Sequence, residues 1–248
     1  MRPRLLQLSL KSPRRARLRL RILLGIKLAE RSNLAPNLAA GEGKAVVVGL
    51  GNPGIEYQFT PHNVGFLAID RLAEQSGVAV NNRRCRALTA TIEIAGREVV
   101  LAKPETYMNL SGISVQALVK EFDADPKRDL IVIYDEIALR LGSLRIRERG
   151  SAGGHNGVRS VSGALGSEEW LRIRIGVAPA SDEAAERARR GRKDYVLTLM
   201  RKPQLAILDE VLDRTARAVE MVLAKGAGPA MNEFNRRETG DEQERIGE

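Results

Sequence analysis

Short apolar runs rich in β-branched residues alternate with segments of helical periodicity, and this alternation constrains the fold more than any other feature. AVVVGL at 45–50 and DLIVIYDE at 129–136 are typical of strands buried on both faces, and WLRIRIGV at 170–177 also predicts a strand. Two alternating segments around a Gly turn predict a hairpin over 87–104. The sequence therefore predicts an α/β fold, a single domain with a mixed, largely parallel central sheet flanked by helices.

Helical segments are predicted between these strands, at 62–75, 111–122 and 155–165, and again beyond Pro203 to about 225. Thr60 is the expected N-cap of the first helix, and Pro61 suits its first position. The segment 143–150 alternates like an exposed strand. The charged segment 182–194 is expected to be mobile, and the polar tail 238–248 to be disordered.

The positive charge is concentrated at one end of the chain. Of the formal net charge of +9, residues 1–43 carry +8, which leaves the remainder almost neutral. This Arg-rich extension fits an organellar transit peptide, a disordered basic tail or codons upstream of the true start. Its few hydroxyls, Ser9, Ser12 and Ser32, favour a cytoplasmic protein, whereas a transit peptide would place it in a mitochondrion or chloroplast. The catalytic domain is expected to span 44–237.

Composition excludes several classes of protein. No stretch of about 18 uncharged apolar residues is present, so no membrane-spanning helix is predicted. The single cysteine, Cys85, excludes an intramolecular disulfide. Gly49, Gly51 and Gly54 match the dinucleotide-binding spacing, but Pro53 removes a backbone donor and the next helix begins too late to meet a pyrophosphate. A nicotinamide cofactor is therefore not expected.

Polar residues cluster where a core would favour apolar side chains. His62 lies in the first turn of a predicted helix, where the helix dipole disfavours imidazolium and leaves a neutral ring that can accept a proton. Asp135 ends an apolar strand, where a carboxylate needs water or a partner. Sites assemble at strand carboxyl ends in open α/β sheets, so a site is predicted there. The alternative is that the Asn-bearing loops only form turns.

Four segments, in this order, resemble the bacterial-type peptidyl-tRNA hydrolases. They are GLGNPGIEYQFTPHNVG at 49–65, KPETYMNLSG at 103–112, YDE at 134–136 and GSAGGHNG at 150–157. The resemblance covers about residues 44–235. It implies a monomer that hydrolyses the ester joining a peptide to the 3′ end of tRNA, which releases free tRNA and recycles stalled peptidyl-tRNA. It also implies that neither a metal nor another cofactor takes part.

The resemblance also implies roles for individual residues. His62 matches the family's catalytic base and Asp135 its orienting partner. Other positions match residues that position or border the substrate: Asn52, Tyr57, Met108, Asn109, His155 and Asn156. The basic residues that clamp the 5′ phosphate of tRNA correspond to Arg145, Arg147 and Arg174. The sequence departs from the family at Ala138, where a second carboxylate is usual, and at Arg140, where proline is usual.

The chemistry of these residues agrees with the implied reaction. Ester hydrolysis needs an oriented base, an activated water and donors to the developing oxyanion, which His, Asp and Asn side chains can supply. No G-x-S-x-G nucleophile segment is present, so direct attack by water is the simpler route. Two other functions remain open: a non-catalytic RNA-binding relative acting in organellar intron splicing, and a metal-dependent hydrolase. The histidines and Asp135 do not show a usual metal-ligand spacing.

The body of the chain can attract tRNA only through a local cluster of positive charge. The alternating strand at 143–150 places Arg145, Arg147 and Arg149 on one face. Arg172 and Arg174 share a face of the strand at 170–177 in the same way. The alternative interpretation is a solvated strand face whose charges pair across the strands.

Overall fold

The computed structural model describes residues 44–236, and the structural statements below concern that range. The predicted extension at 1–43 and tail at 238–248 lie outside the described residues. Within this part of the chain, no helix is both long and apolar enough to cross a membrane.

A seven-stranded mixed sheet forms the centre of the fold, in the order β2-β3-β4-β1-β5-β7-β6. Strands β4, β1, β5 and β7 run parallel, while β2 and β3 at one edge and β6 at the other pair antiparallel. This arrangement confirms the predicted fold class. The strands are β1 Ala45–Gly49, β2 Asn82–Arg84, β3 Ala87–Ile94, β4 Arg97–Pro104, β5 Leu130–Arg140, β6 Leu144–Arg149 and β7 Glu169–Ala178.

Helices cover both faces of the sheet, and each face has its own apolar core. The helices are α1 Val64–Gln75, α2 Ser111–Glu121, α3 Pro126–Asp129, α4 Asn156–Leu165, α5 Asp182–Arg190, α6 Arg192–Leu197, α7 Lys202–Lys225 and α8 Ala227–Phe234. One core contains buried residues of α1 and of α5 to α8, and the other contains those of α2 and α4. The alternation of Val46 and Val48 with Ala45 and Val47 lets β1 contribute to both cores.

The order of the strands determines where a site can form. From β1 the chain builds β2 to β4 on one side, then returns to place β5 to β7 on the other. The loops that follow β1, β4 and β5 therefore diverge at the carboxyl ends of these parallel strands, which opens a crevice at that end of the sheet. The glycine at the end of β1 allows α1 to pack closely, because a Cβ at Gly49 would lie 2.1 Å from the Gly65 carbonyl oxygen.

The charged segment predicted to be mobile is helical, so that prediction was wrong. Ser181 caps α5 by accepting the Ala184 amide N–H at 3.3 Å, and arginines occupy the last turn, where the helix dipole favours positive charge. Ala185 and Ala188 are buried. The sequence alone gives no strong apolar period here because alanine is the only residue type that this helix buries.

Other element boundaries also differ from the expectations. The first helix opens with a 3₁₀ turn, Pro61–Asn63, before α1 begins at Val64. Thr60 occupies the N-cap position, but its hydroxyl donates to the Tyr57 carbonyl at 2.9 Å and caps no helical N–H. Strand β2 and helix α8 were not predicted. The hairpin of β3 and β4 and the long helix α7 are confirmed.

Asp129, buried before β5, anchors the start of that central strand. Its carboxylate bonds the Arg97 guanidinium, the Arg128 Nη2 at 3.1 Å and the Asp125 amide N–H at 3.0 Å. Burial alone would raise the pKa of Asp129, but the bonds from Arg128, the Asp125 amide and Arg97 lower it below its usual value. The ionised carboxylate therefore stabilises the folded chain.

We expect Asp129→Asn to lower the free energy of unfolding by about 2–3 kcal/mol at pH 7, because it weakens hydrogen bonds to a charged group. Urea unfolding measures this. The folded pKa is depressed, so the contribution is present above the pKa of the unfolded chain and is lost as pH falls through the folded value. The difference between variant and parent should narrow in acid, whereas exposed Asp123→Asn should show little difference. A loss that does not change with pH would contradict this account.

Candidate active site

Polar side chains from segments distant in sequence meet at the end of the sheet formed by the carboxyl ends of the parallel strands. Asn52 follows β1, Met108 and Asn109 follow β4, and Asp135 lies on β5 beyond the end of β1. The register of β1 continues into the loop, since the Leu50 N–H donates to the Ile133 carbonyl at 2.9 Å. The loop before α4 adds His155 and Asn156.

Two imidazoles share one carboxylate oxygen at the centre of this edge. His62 Nδ1 lies 2.7 Å from Asp135 Oδ1, and His155 Nε2 lies 2.8 Å from the same oxygen. The carboxylate is fully buried, the His155 side chain is 1% exposed, and the His62 side chain is 12% exposed. Of the two rings, His62 is therefore the one that solvent or substrate can reach.

Hydrogen bonds define the proton positions on both rings. His155 Nδ1 accepts the Val158 amide N–H at 3.2 Å, so the proton of the neutral ring lies on Nε2, which donates to Asp135. An ionised carboxylate can only accept, so His62 donates to it through Nδ1. This tautomer leaves the lone pair on Nε2 of His62, where it can accept a proton from a water molecule.

Asp135 is ionised in this arrangement although it is buried. Burial alone would raise its pKa, but the neighbouring His155 and His62 hold the pKa well below its usual range. Both imidazoles bond Oδ1, whereas Oδ2 has no hydrogen-bond partner among the described residues. The negative charge needed to orient and stabilise a protonated His62 is therefore in place.

Asn63, which sequence reasoning missed, ties the loop after β1 to the turn that carries His62. Its Oδ1 accepts the Asn52 amide N–H and its Nδ2 donates to the Asn52 carbonyl, both at 2.9 Å. The Asn52 side chain in turn accepts the Met108 amide N–H at 2.8 Å through Oδ1. In the sequence, the position of Asn63 directly after His62 in a polar turn was the available signal.

A cleft of about 560 Å³ opens beside His62. Its lining contains six of the predicted residues: Asn52, His62, Met108, Asn109, His155 and Asn156. Tyr57, which was also predicted, is not part of this lining. Six further residues complete the wall, and none of them was predicted as a site residue: Tyr107, Gly154, Arg192, Lys193, Val196 and Leu197. Four of these belong to α6, within and just beyond the segment predicted to be mobile.

Comparison with known proteins identifies the family to which this chain belongs. A sequence model of the family described as peptidyl-tRNA hydrolase matches residues 46–242. The chain belongs to that family. It is 62% identical to the peptidyl-tRNA hydrolase of Acidobacterium capsulatum, over 78% of this chain and 96% of the relative. It is 58% identical to that of Koribacter versatilis, over 77% and 92%.

Solved structures of the family share the fold. The crystal structure of peptidyl-tRNA hydrolase from Acinetobacter baumannii matches 77% of this chain and 94% of its own, with 31% identity and a TM-score of 0.68. The resemblance predicted from the four sequence segments is thus confirmed at the level of family and fold.

The two positions that depart from the expected sequence pattern, Ala138 and Arg140, lie within strand β5. Strand β5 continues to Arg140, which pairs with Ala178 of β7. The Arg140 guanidinium donates to the carbonyls of Pro179 and Ser181 and forms a salt bridge with Asp182. Arg140 therefore anchors the first turn of α5. Ala138 is exposed on the same strand.

The three titratable residues at the centre lie close enough to suggest a metal site, which their sequence spacing did not indicate. Nitrogen and oxygen atoms of His62, Asp135 and His155 lie within 4.8 Å of one another. The chemistry of His155 does not fit. A metal on its Nε2 would require the proton to move to Nδ1, and Nδ1 already accepts the Val158 N–H. These residues are therefore arranged for hydrogen bonding.

The predicted basic residues lie on the edge strands β6 and β7. Arg145 stands directly opposite Arg174, and Arg147 opposite Arg172, so all four share one face. Arg172 is buried, stacks 3.8 Å from the Trp170 ring and donates to the Ser151 and Glu168 carbonyls. Arg174 binds Glu136 at 3.0 Å. Arg145 donates to the Asn235 carbonyl, whereas Arg147 is exposed.

Proposed function

We propose that this chain hydrolyses the ester bond between the peptide and the 3′ end of peptidyl-tRNA, with His62 as the base that activates water. The observation that carries the proposal is the 2.7 Å bond from His62 Nδ1 to the buried Asp135, which turns the free Nε2 toward the cleft. An RNA-binding relative without catalytic activity would need neither this pair nor its orientation. Release of peptide from purified peptidyl-tRNA by the purified chain tests the proposal directly.

The reaction follows from the geometry of the pair. His62 Nε2 takes a proton from water as the water oxygen forms a bond to the ester carbonyl carbon. Asp135 stabilises the imidazolium that results. The tetrahedral intermediate then breaks its bond to the ribose oxygen, and the imidazolium returns its proton to that oxygen. The products are the free peptide acid and tRNA.

Asparagine amides are the donors available to the developing oxyanion. Asn109 and Asn156 are exposed and line the cleft, and they directly follow Met108 and His155 in the sequence. Asn156 is also the first residue of α4, where the positive end of the helix dipole favours negative charge. Asn52 uses its Oδ1 to accept from Met108, so its Nδ2 is the end it can offer to a substrate. Tyr57 is assigned to the support of this loop, since its carbonyl accepts the Thr60 N–H at 3.0 Å.

The arginines on β6 and β7 are proposed to hold the 5′ phosphate of tRNA. Arg145 and Arg174 face each other, which is unfavourable for like charges unless an anion lies between them. Glu136 neutralises part of that charge, but Arg174 Nε is buried with no hydrogen-bond partner among the described residues. Neither Arg145 nor Arg147 forms a salt bridge within 44–236. Guanidinium groups suit phosphate because they can bind it through two N–H groups at once.

We expect Arg174→Ala to raise KM for peptidyl-tRNA about tenfold, since it removes one charge-assisted contact to phosphate. The dependence of KM on salt should also become shallower. The assay compares full-length substrate with a minimal peptidyl-nucleotide that lacks the 5′ end, which variant and parent should cleave equally. Arg217→Ala, which removes the same charge from exposed α7, serves as the matched control. Equal loss on both substrates would contradict the clamp.

The proposal extends to the state of the protein in the cell. Its substrate is made during translation, which favours the cytoplasm, and the described residues carry a complete catalytic pair within one chain, which favours a monomer. The catalytic domain is assigned to 44–237.

A further inference from the structure

His155 differs from the other predicted substrate-binding residues because both of its ring nitrogens are already bonded within the protein. Nδ1 accepts the Val158 N–H, and Nε2 bonds Asp135 Oδ1. The ring lies 5.0 Å from that of Tyr134 in an edge-on contact and 5.0 Å from that of His62. A side chain that is 1% exposed and bonded on both nitrogens acts on the carboxylate rather than on the substrate.

We propose that His155 is a positioning residue that acts through Asp135 and weakens the stabilisation that this carboxylate gives to a protonated His62. The inference rests on the proposed hydrolase function, in which His62 must begin the reaction without a proton on Nε2. The geometry that supports it is the sharing of a single oxygen. Because His155 donates to the same Oδ1 as His62, it takes up part of the negative charge that would otherwise stabilise a protonated His62.

The shared oxygen reconciles two requirements of the base. Asp135 has to remain ionised in order to hold His62 in the correct tautomer, and a second donor favours the ionised form of a buried carboxylate. The low pKa of Asp135, to which the neighbouring His155 contributes, agrees with this role. At the same time, a carboxylate bonded twice attracts the proton on His62 less strongly than one bonded once. With His155 present, Asp135 can therefore orient His62 without strongly stabilising its protonated form.

The groups that face His62 are the same in every variant considered below, apart from His155 itself. Strand β5 contributes Asp135, the start of α4 contributes His155, and the opposite wall of the cleft is positively charged. The titratable and charged residues on that wall are Tyr107, Arg192 and Lys193. Their influence on the pH profile is therefore common to parent and variants.

Two substitutions separate this role from the structural one, because His155 is also the N-cap of α4. His155→Asn keeps a side-chain acceptor for the Val158 N–H, since asparagine is a favoured N-cap, but its short amide loses the donor to Asp135. His155→Gln keeps an N–H donor at the position of Nε2 and loses the cap. His155→Asn therefore removes the donor to Asp135 and keeps the helix cap, whereas His155→Gln keeps the donor and removes the cap.

We expect the acidic midpoint of the kcat/KM profile to rise by about one pH unit in His155→Asn, which makes the enzyme about tenfold slower than the parent in acid but close to it in base. His155→Gln should keep the parent profile with a lower Tm. The chain contains only two histidines. In His155→Asn, nitrogen NMR of a histidine-labelled chain without added histidines therefore observes the protonation of His62 alone, which should also move to higher pH.

Two results would overturn the inference. If the His155→Asn profile superimposes on that of the parent after scaling, His155 is only a helix cap. If His155→Gln shows the larger shift in profile, the cap and not the donor controls His62. The parent, assayed beside them, keeps these outcomes separate from the proposed function, because a parent that releases no peptide would remove both proposals.

Discussion

His62→Ala is expected to lower kcat on peptidyl-tRNA by about 10²–10⁴, the usual contribution of a positioned base, while tRNA binding changes little. The side chain lies in the middle of the 3₁₀ turn Pro61–Asn63 that precedes α1 and is 12% exposed, so its loss leaves the core intact. Single-turnover rates measure the effect on the chemical step. Inhibition by deacylated tRNA measures binding independently of that step.

The remaining activity of His62→Ala provides an internal control. Without the imidazole, the residual rate should no longer fall on acidification in the range where the parent loses activity. Tm should stay close to that of the parent, because the Asn52–Asn63 bonds still hold the turn. If the variant lost tRNA binding and kept its turnover, His62 would be a binding residue and the proposed role as base would be wrong.

Asp135→Asn is expected to reduce kcat by about 10²–10⁴ and leave the protein folded, because an uncharged amide no longer selects the tautomer with the proton on Nδ1 of His62 or stabilises the imidazolium. Asparagine has nearly the same shape as aspartate, and the variant no longer buries a charge. Rate measurements across pH, together with thermal unfolding, test both parts of this expectation.

Glu136→Gln is the matched control for Asp135→Asn. It removes the same charge one position along β5, where the carboxylate binds Arg174 at 3.0 Å. We expect it to change KM for tRNA-containing substrates and to leave kcat nearly unchanged. An unfolded Asp135→Asn variant would favour a structural role for the carboxylate, and turnover near that of the parent would exclude it as the orienting group.

Several features of the fold could be predicted because their signals are local. Apolar runs of β-branched residues identified β1, β5 and β7, and alternation around a turn identified the hairpin of β3 and β4. Helix α5 could not be identified in this way. It buries only alanines, and the remainder of its stability comes from its cap, its dipole and the anchoring by Arg140. None of these gives an apolar period.

The candidate site shows the same division. A histidine at a helix start and an aspartate at the end of an apolar run indicated His62 and Asp135, since each is unusual in its own segment. The prediction that the strand ends there was wrong, because β5 continues past Asp135 to Arg140. Which residues line the cleft was harder to predict from the sequence. Tyr57 belongs to the same sequence segment as Asn52, yet the 3₁₀ turn Ile55–Tyr57 keeps it out of the lining. Arg192 and Lys193 line the cleft because α6 packs across it, a contact with no local signature.

The sequence by itself determined the α/β class, the family and the chemical groups available for ester hydrolysis, because strand patterns and motifs lie within short segments. Only the tertiary structure decided how those groups share their protons. His62 and Asp135 are 73 residues apart, and His155 lies 20 residues beyond Asp135. The pairing of β1 with β5 and the cap of α4 bring both imidazoles to one carboxylate oxygen. The two bonds to Asp135 and the bond from the Val158 N–H fix the tautomers of both imidazoles. Such contacts depend on the packing of whole elements rather than on any single stretch of sequence.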